Sequence, residues 1–189
     1  SIVSEVTLAI VHNVVAREPV QLSDVRTLRS HNVAFDQCRV PARNRLGAEG
    51  EGVRCLMSGL DLERATIAPI CVGIAERALE LALAHARSRE QFGRPIGEFQ
   101  MVQSRLADIW VEVDAMRCYS WRCLAAINEL PPGEGGRGDA HKLSAASILY
   151  CADGMHRVLD HAAQIHGGAA YIWETEINRL YRAIKLLEI

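Results

Sequence analysis

From Val53 onward, apolar residues recur at spacings of three and four, as they do on a helix with one buried stripe. The clearest run holds Val102, Leu106, Ile109, Val113, Met116, Ser120, Cys123, Leu124 and Ile127, and it predicts a helix over Met101–Asn128. A second run, Ile67 to Ala86, predicts a helix before it. Leu130-Pro-Pro-Gly-Glu-Gly-Gly-Arg-Gly-Asp breaks the pattern and reads as a loop. Asp139 is placed to cap the next helix, which extends to about His166. Gly167 and Gly168 stop it, and a last helix runs from near Glu174 to the end of the chain. Four long helices joined by short loops predict a mainly α fold, an antiparallel four-helix bundle.

The first part of the chain is patterned differently. Val6–Val11 and Val33–Phe35 are short β-branched runs set among polar and Pro-containing stretches, and they read as strands. Leu46-Gly-Ala-Glu-Gly-Glu-Gly is a Gly-rich loop without the lysine and spacing of a P-loop. It reads as a connector. The division predicted is residues 1–45, irregular or strand-like, and 46–189, a helical bundle domain.

Composition narrows the picture. Hydrophobic residues make up 49% and the net charge is −2, with both signs interspersed, so neither nucleic acid nor an anionic membrane is an expected partner. No apolar run approaches the roughly 20 residues needed to span a bilayer. Ser1–Arg17 lacks the basic start and small-residue end of a signal peptide, so none is expected there. The six cysteines form no CxxC pair and read as small buried hydrophobes in a reducing compartment. His156, His161 and His166 are each turned about 140° from the last on a helix, so they cannot share one face and no metal site is expected.

The break between the first two helices is chemically unusual. Over residues 87–100 it carries Arg87, Arg89 and Arg94 around Gly93, Pro95 and Gly97, with Phe92 and Gln100 alongside. Guanidinium groups bind phosphate bidentately, so this mix suits an anionic, partly aromatic ligand such as a nucleotide cofactor. A solvated interhelical turn is the plainer alternative.

Several stretches together resemble the acyl-CoA dehydrogenases. They are Asp36-Gln-Cys-Arg-Val-Pro-Ala, Leu46-Gly-Ala-Glu-Gly-Glu-Gly, Leu56-Met-Ser-Gly-Leu-Asp-Leu-Glu-Arg, the Arg89-to-Gln100 stretch, Gln164-Ile-His-Gly-Gly and Lys185-Leu-Leu-Glu-Ile. The match covers roughly residues 33–189, in family order. Met57-Ser-Gly-Leu-Asp-Leu-Glu-Arg looks most like the isovaleryl-CoA dehydrogenase branch. The resemblance makes residues 1–45 a remnant of that family's middle β-domain and 46–189 its C-terminal helical domain. Two departures stand out. The family's Gly-Gly-Asn-Gly reads Gly167-Gly-Ala-Ala, and the aspartate that usually follows the arginine equivalent to Arg182 is Ala183.

The resemblance implies α,β-dehydrogenation of a short or branched acyl-CoA thioester, with FAD as cofactor and an electron-transfer flavoprotein as acceptor. It implies Glu63 as the base that removes the α-proton, a task suited to a carboxylate in an apolar pocket. Asp61 and Arg64 match positions that contact the CoA portion. Arg89, Phe92 and Gln100 match residues on the FAD pyrophosphate and adenosine, across a subunit interface. Gln164, Gly167 and Gly168 match the opposite wall of that site. The implied assembly is a homo-oligomer, dimer or tetramer, in bacterial cytoplasm or the mitochondrial matrix. Two other readings stay open: a catalytically incomplete oligomerisation or partner subunit, and a flavin oxidase or monooxygenase on the same fold.

Overall fold

The computed structural model describes residues 27–30, 33–36, 41–45, 47–131 and 138–188. The Val6–Val11 run and Cys38 lie outside the described residues. The second expected strand is present as β2 (Val33–Asp36). It pairs antiparallel with a strand the hydrophobic pattern did not mark, β1 (Thr27–Ser30), in the register Thr27 to Asp36 and Ser30 to Val33. Thr27-Leu-Arg-Ser has one large apolar residue in four, too little alternation to signal a strand.

Three long helices follow: α1 (Gly52–Ser88), α2 (Gln100–Asn128) and α3 (Gly138–His166), each packed against the other two. The fourth is α4 (Glu176–Ala183), eight residues long, broken from the one-turn α5 (Lys185–Glu188) at Ile184. Ile177 and Ile184 seal this last stretch onto the core. Arg77 of α1 grips Glu176 with a two-pronged bond, Nε to Oε1 at 2.7 Å and Nη2 to Oε2 at 2.9 Å. Asp139 is not the cap of α3; it sits inside the first turn, where its charge favours the helix dipole. Gly167 has φ +57°, which ends α3 as expected, and the chain continues as a 3₁₀ turn through Tyr171.

The core of α1 is built from small side chains. Ala65, Ala68, Val72, Ala75, Ala82 and Ala86 are buried at heptad-like spacing, joined by Cys71 and Ala78. Small residues let neighbouring helices approach closely, and the larger Ile109, Met116, Met155 and Leu159 of α2 and α3 fill the space. At Gly154 a Cβ would lie 2.7 Å from Met116 Sδ and 2.7 Å from Glu112 Oε1, so a side chain there would push both aside. Burial pushes the Cys71 thiol up to about 11 and the Cys151 thiol up to about 12, so both are inert hydrophobes at neutral pH. Cys118 departs from the expectation and is exposed on α2.

Candidate functional site

The six residues matched to cofactor binding gather at one end of the bundle. Arg89 caps α1: its N–H donates to the His85 carbonyl at 2.8 Å, and its own carbonyl accepts from Ile96 N–H at 2.8 Å. Beyond it the break is not a plain turn but a tight hairpin, β3 (Glu90–Gln91) against β4 (Arg94–Pro95). Its two turn residues, Phe92 and Gly93, have φ +55° and +80°, as a two-residue hairpin of this twist requires. Phenylalanine is strained there, yet its ring is 93% exposed. That strain supports presentation of Phe92 outward, with only an edge contact to Phe99 at 6.2 Å.

Gln100 is the first residue of α2, whose start carries no side-chain cap, so amide N–H groups point out beside the hairpin. The end of α3 joins the same region through a stack of His85 on His166, centroids 4.5 Å apart. Gln164, Gly167 and Gly168 are exposed beside it. A Cβ on Gly168 would meet nothing within 4 Å, so the backbone there is open to approach from outside. Arg89 is exposed and has no carboxylate in ion-pair range among the described residues. Arg94, five residues on, is engaged with Glu98 at 3.9 Å and with the Phe99 ring at 4.3 Å. A free guanidinium, an aromatic, uncapped helix amides and bare glycine backbone suit a phosphate-bearing, aromatic group such as FAD.

Burial first, then the positive charges of His166 and Arg89, hold His85 below the ordinary histidine value of 6.5. A lowered histidine stabilises the fold above the unfolded value, and that contribution is lost as pH falls through the folded one. The protection factors of the backbone amides over residues 90–97, corrected for the chemical exchange rate, should therefore fall below pH 6.5. In His85→Gln the same segment should exchange with little pH dependence beyond the chemical rate.

The catalytic and substrate candidates lie far from this end. Twenty-six residues of continuous helix separate Glu63 from Arg89, about 39 Å. The chain therefore does not bring the candidate base and the candidate cofactor residues together. Glu63 is exposed, not enclosed in an apolar pocket by the described residues. It does stand in the middle of an apolar stripe on α1, between Leu56, Leu60, Ile67 and Ile70, of which Leu56 is 43% and Ile70 54% exposed.

Asp61 is turned to the opposite side of α1, because two residues rotate a helix by about 200°. It is 1% exposed and faces α3, where Ser144 Oγ donates to its Oδ1 at 3.2 Å and His141 Nδ1 lies 2.6 Å from the same oxygen. Arg64 is half-buried, its Nη1 4.0 Å from Asp61. Within one copy, the Asp61 carboxylate fastens α1 to α3. His141 and Ser144 were not singled out from the sequence, and their i, i+3 spacing on a helix is too common to have flagged them. Asp61→Ala should lower unfolding stability by about 1.5–3 kcal/mol, the range for hydrogen bonds to a charged group. Urea denaturation measures it, and acyl-CoA affinity should move little.

The three histidines set five apart on α3 go to different partners, His156 to Tyr181, His161 to Arg105 and His166 to His85. Where the family has its aspartate the chain has Ala183, and the Arg182 guanidinium lies over the Trp173 ring at 3.4 Å.

Comparison with known proteins follows the same outline. Residues 50–189 match the family model for the acyl-CoA dehydrogenase C-terminal domain. The chain belongs to the acyl-CoA dehydrogenase family. It is 40% identical over 157 residues to mitochondrial isovaleryl-CoA dehydrogenase of Oryza sativa subsp. japonica, covering 83% of this chain and 37% of that protein. Among solved structures it resembles butyryl-CoA dehydrogenase from Megasphaera elsdenii, with TM-score 0.74, 32% identity, and coverage of 82% of this chain and 39% of that one. It also resembles the prolyl acyl carrier protein oxidase AnaB, with TM-score 0.72, 29% identity, and coverage of 82% and 39%. The chain thus spans under two fifths of the length of the relative it matches at 40% identity.

Residues 1–49 match a different family model, prephenate dehydratase, a likeness that reading the segment as a β-domain remnant did not anticipate. The 157-residue alignment is longer than residues 50–189, so the dehydrogenase likeness reaches into the same first segment. Among the described residues, no helix is long and apolar enough to cross a membrane.

Proposed function

We propose that this chain is the helical part of an FAD-dependent acyl-CoA dehydrogenase acting on a short or branched acyl thioester, isovaleryl-CoA or a close analogue. The observation that carries the reading is Glu63, a carboxylate set alone in an exposed apolar stripe of α1, inside the motif shared with the isovaleryl branch. An acyl chain laid along Leu56, Leu60, Ile67 and Ile70 removes water from that carboxylate, and a desolvated carboxylate is a stronger base. Glu63 then takes the α-proton of the thioester. Bound FAD supplies the acceptor for the β-hydrogen as hydride. Arg64, half-buried beside the stripe, is placed to meet the CoA portion, and Asp61 fixes the helix that presents both.

Arg89, Phe92, Gln100, Gln164, Gly167 and Gly168 hold the phosphate and adenosine part of FAD. The 39 Å between them and Glu63 supports a site shared between copies, each copy giving its base to one site and its cofactor-binding end to another. The protein is therefore a homo-oligomer, dimer or tetramer. Its electrons pass to an electron-transfer flavoprotein, and its place is a reducing compartment, bacterial cytoplasm or mitochondrial matrix. Residues 46–189 are the C-terminal helical bundle domain, and 1–45 an irregular, strand-bearing remnant of a middle β-domain.

The test is anaerobic mixing of the flavin-loaded protein with isovaleryl-CoA. Bleaching of the flavin's visible absorbance is expected, and an unchanged spectrum overturns the reading. The likeness to the AnaB oxidase supports a second reading, in which oxygen reoxidises the flavin. Rapid oxygen consumption driven by acyl thioester, without an added electron acceptor, distinguishes it.

A further inference from the structure

Two stacked ionisable rings at the candidate cofactor end have no acid to balance them. His85 lies one turn before the end of α1, and His166 is the last residue of α3. Their half-buried rings stack with centroids 4.5 Å apart and planes 23° apart. A carbonyl only accepts, so the 2.7 Å contact between His166 Nδ1 and the Ala162 carbonyl puts a proton on Nδ1 and leaves a lone pair on Nε2. Among the described residues no carboxylate is within ion-pair range of either ring.

The charges around the stack are cations or are already engaged. Arg89 stands four residues beyond His85, on the same side of the chain's path along α1. From α2, Arg105 is bonded at 2.8 Å to His161, five residues before His166. Beyond α1, Arg94 and Glu98 hold each other at 3.9 Å, and Glu90 is exposed. Burial first, then His166 and Arg89, hold His85 below the ordinary histidine value. Two positive rings in this contact would repel, so the stack takes up one proton as a unit rather than one on each ring. Within one copy nothing compensates that proton, whereas a bound anion does. Arg89 and the open backbone at Gly167 and Gly168 adjoin the two rings, so an anion held by them lies beside the stack.

We infer that the His85–His166 stack is the proton-linked part of an anion site: a phosphate-bearing ligand bound beside Arg89 draws one proton onto the stack. Where the ligand is FAD, this rests on the cofactor reading above; a free phosphate-like dianion needs only the two rings and Arg89. The empty stack resists the proton and the anion favours it. Ligand affinity therefore rises as pH falls through the histidine range, by up to about tenfold per pH unit for one proton. Linkage is reciprocal, so the ligand raises the stack's proton affinity by the same factor. It also opposes the loosening expected of the unliganded hairpin: with ligand bound, protection over residues 90–97 should hold to lower pH.

The pyrophosphate of FAD stays dianionic across this range, so a proton taken up on binding belongs to the protein. Fluorescence titration with FAD should show affinity rising about tenfold from pH 8 to pH 6. His85→Gln and His166→Gln should each flatten that profile to within about twofold, with far-UV circular dichroism checking that both fold. A second arm needs no flavin: the imidazole resonances of His85 and His166 are titrated with pH in sodium sulfate and in sodium chloride of equal ionic strength. Sulfate stands in for a free phosphate dianion without titrating itself, and it should raise the histidine midpoints by about half a pH unit or more. An FAD effect without a sulfate effect assigns the site to the nucleotide, and both together assign it to phosphate in general. A flat profile for bound FAD, or a pH dependence that survives in both variants, would overturn the inference. Failure of FAD to bind at any pH overturns the cofactor reading instead, and midpoints unmoved by sulfate then overturn this one as well.

Discussion

Glu63→Gln is expected to slow reduction of the bound flavin by acyl-CoA about 10²–10⁴-fold, the usual cost of removing a positioned general base. Acyl-CoA binding should be nearly unchanged. Glutamine keeps the side-chain size and a hydrogen-bonding amide but cannot accept the α-proton. Nor does the carboxylate hold up the fold: Glu63 is exposed, and its side chain makes no hydrogen bond or ion pair among the described residues. The variant should therefore unfold with wild-type stability, which separates this site from Asp61. Stopped-flow absorbance under anaerobic conditions reads the rate, and titration of the oxidised variant with acyl-CoA reads the affinity. A wild-type bleaching rate in Glu63→Gln would place the base elsewhere.

Much of this architecture was legible because helices write their packing into the sequence at a fixed period. The stripe from Val102 to Ile127 marked α2 to within a residue of its observed start and at its observed end, since Ile109, Val113, Met116, Ser120 and Cys123 do face the core. The hairpin at Glu90–Pro95 was less legible: two-residue strands carry no period, and Phe92 is not a residue that advertises a positive φ. The break between α4 and α5 was hidden for the opposite reason. Glu174 to Ile189 keeps helical composition throughout, and no glycine or proline punctuates Ile184.

The site was legible in its residue types and less so in its directions. Asp61, Glu63 and Arg64 stand together in the sequence, yet a helix sends Asp61 and Glu63 to opposite sides. Only the geometry of α3 shows that His141 and Ser144 claim the first.

Arg89→Ala should weaken FAD affinity about 30-fold or more, the effect of removing a charge-assisted partner from a desolvated pair. Arg94→Ala should leave FAD affinity close to wild type. Both arginines belong to the same short segment and both are exposed, so composition alone does not separate them. Their surroundings do. The Arg89 backbone is held on both sides, by the His85 carbonyl and by Ile96 N–H, which fixes the side chain's point of departure. The guanidinium itself has no carboxylate in ion-pair range among the described residues. It therefore reaches an incoming pyrophosphate without first breaking a contact, and the uncapped amides of α2 add to the same positive field. Arg94 is spent within the hairpin, on Glu98 and the Phe99 ring, so its loss loosens local packing without removing a phosphate ligand. The assay is flavin retained per protomer after dialysis, together with the dissociation constant from fluorescence titration of the apoprotein with FAD. Retention equal in the two variants would remove Arg89 from the cofactor site. Loss in both, with restored binding in Arg89→Lys, would instead show that charge at this end of the bundle matters more than the two-pronged geometry of one guanidinium.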